Sequence, residues 1–142
     1  MKRPDLNYRL IDHTADLGIR VAGADPATLF NNAALSMMEQ IIDLQSVQAV
    51  KSINMSVEGS DWPDLMVNWL REILYLWNGR EMLPVKVTIA DIDAAGLKAR
   101  IEVEPYNPDR HHIRQEIKAV TYHHIQVERS SSGWEALIIF DV

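Results

Sequence analysis

The sequence predicts an α+β fold, a single two-layer domain over residues 1–142 with a mixed β-sheet covered by two main helices. Three observations support this class. Two segments have apolar residues at helical spacing behind a helix start signal, and several short segments alternate apolar and polar residues. The length of 142 residues and the hydrophobic content of 47% fit one domain with a sizeable core.

The two predicted helices begin at clear capping signals. Asp25-Pro26 supplies an N-cap and a first-turn proline, and apolar residues then recur at helical spacing over residues 26–43. The second helix begins in the segment 60–64 and ends at Gly79. Its apolar residues form so broad a face that we expect much of its circumference to be buried.

The predicted strands are the segments with a period of two between apolar residues. They cover residues 7–11, 17–23, 51–58, 85–90, 97–104, 116–127 and 134–142. The acidic connection 91–96 lacks the Asp/Asn ladder and the closing Glu of an EF-hand calcium loop. We therefore predict a hairpin turn there.

Composition and charge exclude several classes of protein. No apolar stretch approaches the roughly 18 residues of a membrane span, and the absence of cysteine excludes disulfides and thiolate zinc sites. The first residues show no apolar signal region, so we expect a cytoplasmic protein. The net charge of -6 argues against unaided binding to a phosphate backbone. Any contact with RNA is expected to run through a partner.

Several titratable residues point only weakly to chemistry. The doublets His111-His112 and His123-His124 invite a zinc proposal. On a strand, however, His123 and His124 would face opposite sides, and no helical His-x-x-x-His pair is present, so a zinc site is not expected. Glu72 lies among apolar helix residues. An exposed or arginine-paired carboxylate is the favoured interpretation, and a place near a site is the alternative. No catalytic triad or phosphate loop is visible.

The most informative motif is acidic. Asp12 and Asp16 lie in the connection between the first two predicted strands, and we expect the dipeptide Asp141-Val142 beside them. If the connection bends, the first two carboxylates share one hollow. Two unit charges about 4 Å apart then repel by roughly 4 kcal/mol at an effective dielectric constant near 20. A divalent cation or a basic side chain would relieve the repulsion. A helix cap or Asx-turn is the alternative role.

Four blocks of this sequence together resemble one known family. They are the Asp-His-Thr-Ala-Asp-Leu-Gly motif at 12–18, the helical segment 70–76, the Glu-Ile-Lys-Ala-Val-Thr-Tyr-His block at 116–123 and the final segment 138–142. In their order, and in the length of the chain, they are similar to the archease family. The resemblance spans nearly the whole chain, and its first and third blocks are specific.

The resemblance implies an accessory protein rather than an enzyme. Archeases assist the RNA-splicing ligase of the RtcB type by promoting its GTP-dependent guanylylation and multiple turnover. The expected partner is therefore that ligase, and RNA and GTP would be met only through it. Trp77-Asn78 departs from the family pattern, in which an acidic residue often follows the Leu-Tyr-Leu sequence found here at 74–76, so no further helical ligand is assigned.

The resemblance also implies the site residues. Asp12, Asp16 and Asp141 would hold a divalent cation, and Lys118 would be required for activation of the partner. The carboxylate of Val142 would add a further negative charge beside Asp141. Hard oxygen ligands suit Ca²⁺, which we expect, with Mg²⁺ or Mn²⁺ as alternatives.

Two other function classes stay open at this point. One is an independent metal-dependent phosphoesterase, which needs open metal positions and turns over without a partner. The other is a calcium-binding, chaperone-like interaction module in which the ion is structural and an apolar surface binds the partner.

Overall fold

The computed structural model describes residues 8–12 and 16–142, without the side chains of residues 11 and 12. No helix in these ranges is long and apolar enough to cross a membrane. In chain order the elements are β1 (Tyr8–Asp12), β2 (Asp16–Gly23), α1 (Pro26–Ile41), a 3₁₀ turn (Leu44–Ser46), β3 (Lys51–Glu58), α2 (Trp62–Asn78), β4 (Met82–Asp93), β5 (Gly96–Pro105), β6 (Ala119–Val120), β7 (Gln126–Ser130) and β8 (Gly133–Asp141).

The described strands form two antiparallel sheets. The first has the order β1-β2-β8, and the short strands β6 and β7 both pair with the other edge of β8. The second has the order β3-β5-β4. The α+β class with two main helices is confirmed. The strands divide into these two antiparallel sheets rather than forming one mixed sheet.

Both helices start where the sequence predicts. The Asp25 side chain accepts a hydrogen bond of 2.8 Å from the backbone N–H of Thr28, and Asp61 caps α2 in the same way through Asp64 N–H at 2.9 Å. These bonds satisfy donors that the first helical turn leaves without a partner. The first helix ends at Ile41, two residues before its predicted end.

The core lies between the helices and the two sheets. Both helices contact strands of both sheets: α1 lies against β2, β8 and β4, and α2 lies against β3, β4, β6 and β7. Trp69 on α2 is fully buried, and its indole N–H donates to the backbone oxygen of Phe30 on α1 at 2.9 Å. This bond satisfies the one polar atom of the indole and fixes one helix against the other.

The predicted strand 116–127 is wrong as one continuous element. Only β6 belongs to the ladder in its first half, and the chain then turns through residues 121–125 before β7 begins. His124 sits at a φ of 53° in that turn, and Ile125 N–H donates to Tyr122 O at 3.3 Å. Val120 pairs with Phe140 and Gln126 with Leu137, so residues 121–125 span a stretch of β8 that contains only residues 138–139. The segment therefore has to bend away from β8 between β6 and β7.

The predicted hairpin between β4 and β5 is confirmed, with longer strands than expected. The turn is closed by Asp93, whose side chain accepts bonds from the N–H groups of Ala95 at 2.8 Å and Gly96 at 3.1 Å. The Asp93 side chain therefore forms an Asx-type turn. This structure agrees with the prediction that the acidic pair is not an EF-hand loop.

The polar loop after β5 folds around a buried histidine. The His111 side chain is fully buried, and its Nε2 lies 2.9 Å from Oε1 of Glu104. The other oxygen of Glu104 is paired with Arg110. The histidine doublet at 111–112 therefore has one member with a structural role inside the loop, whereas His112 is exposed.

The hydrogen bonds of His111 define its tautomer. Its Nδ1 accepts a bond of 3.0 Å from the backbone N–H of Asn107, so Nδ1 carries no proton. The neutral ring then has its proton on Nε2, from which it donates to Glu104. Burial, and secondarily the positive charge of Arg110, lowers the pKa of His111 below its usual value of 6.5.

We predict that this histidine makes stability depend on pH. A lowered folded-state pKa means that the stabilisation is complete above the unfolded pKa near 6.5 and is lost as pH falls below it. The free energy of unfolding, measured with urea between pH 7.5 and 5.5, should therefore decrease with falling pH. His111→Gln should lose this part of the pH dependence, and His112→Gln, a change at the exposed neighbour, should keep it. Equal pH profiles for both variants would contradict the assignment.

Candidate metal and partner-contact site

Two of the predicted acidic residues are direct neighbours in the first sheet. Asp16 at the start of β2 pairs with Asp141 at the end of β8. Directly opposed residues of an antiparallel pair project from the same face, with Cβ atoms about 4.5–5.5 Å apart. Asp141 is exposed and Asp16 is partly exposed. The strand register thus places two carboxylates side by side at one end of the sheet.

Lys118, predicted to act on the partner, lies at the other edge of β8. The backbone N–H of Lys118 donates to the backbone oxygen of Asp141 at 2.8 Å, and Ala119 pairs with Asp141. The Lys118 side chain is exposed and forms no ion pair with the described residues. Asp141 therefore lies between Asp16 on one side and residues 117–122, which we call the lysine-bearing segment, on the other.

One face of α2 holds the lysine-bearing segment in place. Arg71 donates from Nε and Nη2 to the backbone oxygen of Val120, both at 3.2 Å. Asn78, seven residues further along the helix, donates to the backbone oxygen of Ile117 at 3.1 Å. Ile117 is itself fully buried. The backbone on both sides of Lys118 is thus fixed by side chains from one helix.

Asp64 lies on the same face of α2 as Arg71 and Asn78. Asp64, seven residues before Arg71, accepts a hydrogen bond of 2.7 Å from the Tyr122 hydroxyl. The Arg71 guanidinium lies 4.9 Å from the centre of the Tyr122 ring, a cation–π arrangement. We call Asp64, Arg71 and Asn78 the α2 polar stripe. Residues seven apart lie on one helix face, so the stripe follows the segment 117–122 along its length.

The electrostatics of the stripe fit these contacts. Hydrogen bonds from Ser60 N–H and from the Tyr122 hydroxyl lower the pKa of Asp64 below 3.8, so it is ionised at neutral pH. The bond to Asp64 raises the pKa of Tyr122 above 10. Tyr122 consequently remains a hydrogen-bond donor throughout the physiological range.

The two remaining predicted metal residues are Asp12 and Val142. Asp12 pairs with Leu17 in the backbone ladder of β1 and β2, next to Asp16, but its side chain lies outside the described residues. The Val142 side chain packs against the core. A contribution of its carboxylate, like that of Asp12, stays a prediction.

The two described carboxylates are of the chemical type that a hard divalent cation prefers, but a cation site needs more ligands than these two. Asp16 and Asp141 supply carboxylate oxygens, the ligands preferred by Ca²⁺, Mg²⁺ and Mn²⁺. Among the described side chains, which do not include that of Asp12, no cluster of three or more His, Cys, Asp or Glu has metal-binding geometry. A third protein carboxylate would have to come from outside this set.

The other acidic and histidine candidates do not join the site. Glu72 is exposed on α2 and forms no ion pair with the described residues, which matches the favoured interpretation of the sequence. His123 and His124 are exposed in the turn after β6.

The sequence analysis missed the roles of Arg71 and Asn78. A signal was present, because polar residues at 64, 71 and 78 recur every seven positions on a helix that is otherwise largely apolar. In the sequence Asn78 stands out only because the family often has an acidic residue after the Leu-Tyr-Leu sequence. The structure gives it a different use, as a donor to the backbone of the lysine-bearing segment.

Comparison with known proteins agrees with this architecture. Residues 8–142 match the model of the Archease protein family (MTH1598/TM1083). The chain belongs to the archease family. Archease proteins from Methanosarcina mazei and Methanopyrus kandleri are 33% and 36% identical to it. The first alignment covers 95% of both chains, and the second covers 93% of this chain and 96% of the relative.

Solved structures show the same archease fold. The solution structure of protein 1598 from Methanobacterium thermoautotrophicum has 28% sequence identity and a TM-score of 0.80, covering 96% of this chain and 99% of that one. A crystal structure from Thermotoga maritima, described as an archease and possible chaperone, has a TM-score of 0.65. It covers 100% of this chain and 98% of its own, and at 19% identity it supports the fold alone.

We predict that Arg71 orders the archease segment around Lys118. Arg71→Leu removes two donors from Val120 O, a loss expected to cost about 1 kcal/mol of unfolding free energy. Amide hydrogen exchange at Lys118 and Thr121 should become faster, since both N–H groups bond to β8. Glu72→Leu, at the exposed neighbouring position, is the matched control and should leave both rates unchanged. Unchanged exchange in Arg71→Leu would contradict this role.

Proposed function

We propose that this archease-family protein is a metal-binding accessory factor of an RtcB-type RNA-splicing ligase. It would promote the GTP-dependent guanylylation of the ligase and its multiple turnover, without catalysing a reaction itself. The observation that carries the proposal is the placement of Asp16, Asp141 and Lys118 at one end of the first sheet.

Repulsion between the paired carboxylates supports the cation part of the proposal. Like charges directly opposite each other destabilise a sheet. At about 5 Å the interaction of two unit charges is roughly 1 to 3 kcal/mol for effective dielectric constants from 80 to 20. No described basic side chain forms an ion pair with Asp16 or Asp141. A divalent cation bound by these two residues, with Asp12 and the Val142 carboxylate, would offset that repulsion.

The exposed lysine supports the partner part of the proposal. Lys118 has its backbone fixed on both sides while its ammonium group remains accessible. Its neighbour Ile117 is buried, so the segment cannot shift without disturbing the core. A fixed cation of this kind suits contact with an anionic group of a partner, such as a bound nucleotide phosphate in the ligase. In this role Lys118 acts on the partner's site.

The overall charge is consistent with contact to RNA only through the ligase. A net charge of -6 opposes the release of counterions that drives independent RNA binding. The exposed face of the second sheet alternates in sign rather than forming a basic patch, since Lys86 and Arg100 both lie near Glu102.

One experiment separates this proposal from the two alternatives. The purified protein is assayed for phosphoesterase and GTP-hydrolysing activity, and then added to an RtcB-type ligase with GTP, a divalent ion and RNA bearing a 3′-phosphate or cyclic phosphate end. An accessory factor is inactive alone and accelerates ligation at substoichiometric amounts. Turnover by the protein alone indicates a phosphoesterase. Suppression of ligase aggregation without faster guanylylation indicates a chaperone-like module.

We predict that Lys118→Ala abolishes ligase stimulation without unfolding the protein. The side chain is exposed, so the change in unfolding free energy should stay within about 0.5 kcal/mol. Single-turnover guanylylation of the ligase measures the effect directly. Lys98→Ala, at an exposed position on the second sheet, is the control and should stimulate like the wild type. A fully stimulating Lys118→Ala protein refutes the role of this lysine.

We also predict that Asp141→Asn uncouples stability from divalent ions. Without metal the variant should be at least as stable as the wild type, because it removes one of two opposed charges. The wild type should melt at higher temperature as Ca²⁺, Mg²⁺ or Mn²⁺ is added, by the mass-action term for a ligand of the folded state. Asp91→Asn, on the second sheet, should keep that shift. An ion-dependent shift of equal size in Asp141→Asn would exclude Asp141 as a ligand.

A further inference from the structure

A surface pocket lies next to the proposed site but does not belong to it. It has a volume of about 290 Å³ and is lined by Trp77, Asn78, Glu81, Ile113 and Glu116. The end of α2 forms one side, and residues 113–116, which precede the lysine-bearing segment, form the other. The volume is at the lower limit of pockets that hold whole small molecules, and it suits a single long side chain.

The aromatic wall of this pocket is fixed from behind. The Trp77 ring packs edge-on against Tyr106, with ring centres 5.0 Å apart and planes at 80°. Tyr106 in turn stacks on His111, at 6.0 Å and 21°. His111 is fully buried and is held by Glu104. The indole therefore has little freedom to close the pocket, so the pocket is formed before any ligand enters it.

The rim of the pocket is acidic on both sides. Glu81 and Glu116 are exposed, and neither forms an ion pair with the described residues. Arg114, two residues before Glu116, is engaged elsewhere, with Glu39 at 3.5 Å and Asp43 at 3.8 Å, and Lys118, two residues after Glu116, forms no ion pair with the described residues. Two carboxylates that form no ion pair with the described residues thus border an aromatic wall.

The position of Glu81 is set by its backbone. Its φ of 52° lies in the left-handed region, which favours glycine over residues with a side chain. Two backbone bonds hold it there: Glu81 N–H donates to Trp77 O at 3.0 Å, and Tyr106 N–H donates to Glu81 O at 2.9 Å. Trp77 and Tyr106 therefore fix the backbone of Glu81 at the rim, from which its side chain extends.

We propose that this pocket receives an arginine side chain of a protein partner. A guanidinium group can lie against an indole and at the same time donate paired hydrogen bonds to carboxylates. A lysine ammonium is more strongly hydrated and lacks the planar surface for stacking, so it matches this pocket less well. The pocket is independent of the carboxylate pair at Asp16 and Asp141, and its test requires neither metal nor ligase.

The test uses a short peptide as the probe. The ¹⁵N-labelled full-length protein is titrated with acetyl-Gly-Arg-Gly-amide, and the indole N–H signal of Trp77, assigned with Trp77→Phe, is followed by NMR. We expect a saturable shift of this signal. The citrulline peptide, which has the same shape without the charge, should give no saturable shift, and the lysine peptide should bind at least several-fold more weakly.

Variants of the rim decide whether the carboxylates are responsible. Glu81→Gln and Glu116→Gln should each weaken binding of the arginine peptide about ten-fold or more while leaving the rest of the spectrum unchanged. Glu72→Gln removes an equal charge from the exposed surface of α2 and should bind like the wild type. The proposal is overturned by the absence of a saturable shift, by equal binding of the citrulline or lysine peptide, or by rim variants that bind like the wild type.

Discussion

The arrangement of the candidate site depends on the pairing of β8 along both of its edges. On one edge β8 pairs with β2 through eight consecutive positions, and the last of these joins Asp141 to Asp16. On the other edge it receives β7 and β6, and the short β6 ladder brings Lys118 to the backbone of Asp141. Because the side-chain period of a strand is two, a slip of one residue in the pairing of β2 with β8 would place Asp16 and Asp141 on opposite faces of the sheet. Ala136, Ile138 and Phe140 belong to the buried core cluster, so these alternate side chains of β8 must face the core, and this requirement fixes the register.

Helix α2 supplies the second constraint, and it does so with polar groups rather than apolar ones. The lysine-bearing segment contributes only two residues to the ladder, so most of its backbone groups need other partners. Arg71 and Asn78 provide them at Val120 and Ile117. The same helix buries its apolar face, including Trp69 and Ile73, against the core. Its position is therefore set by packing, and the polar stripe transmits that position to the segment that carries Lys118.

The elements that could be predicted from sequence are those whose signals are local. Both N-caps, the strand Lys51–Glu58 and the β4–β5 hairpin follow from residues within a few positions of each other. The single strand predicted over 116–127 failed for the opposite reason. Its alternating residues fit a strand, but the turn after Thr121 depends on bonds to Ile139 and to α2, which lie far away in the sequence. The pairing of Asp16 with Asp141 could be anticipated only because a family resemblance linked two distant motifs, and neither spacing nor composition would have joined them.

The pocket beside Trp77 and the carboxylate pair beside Lys118 lie at the two ends of one short segment. Ile113 and Glu116 border the pocket, and Lys118 follows two residues later, with Ile117 buried between them. Asn78 belongs to both environments, because it lines the pocket and donates to Ile117. A partner that filled the pocket would therefore find Lys118 at a fixed displacement from its own anchored side chain. Such a link works by geometry: two contacts held by one rigid segment define an orientation of the partner, and binding at one of them makes the other effectively intramolecular.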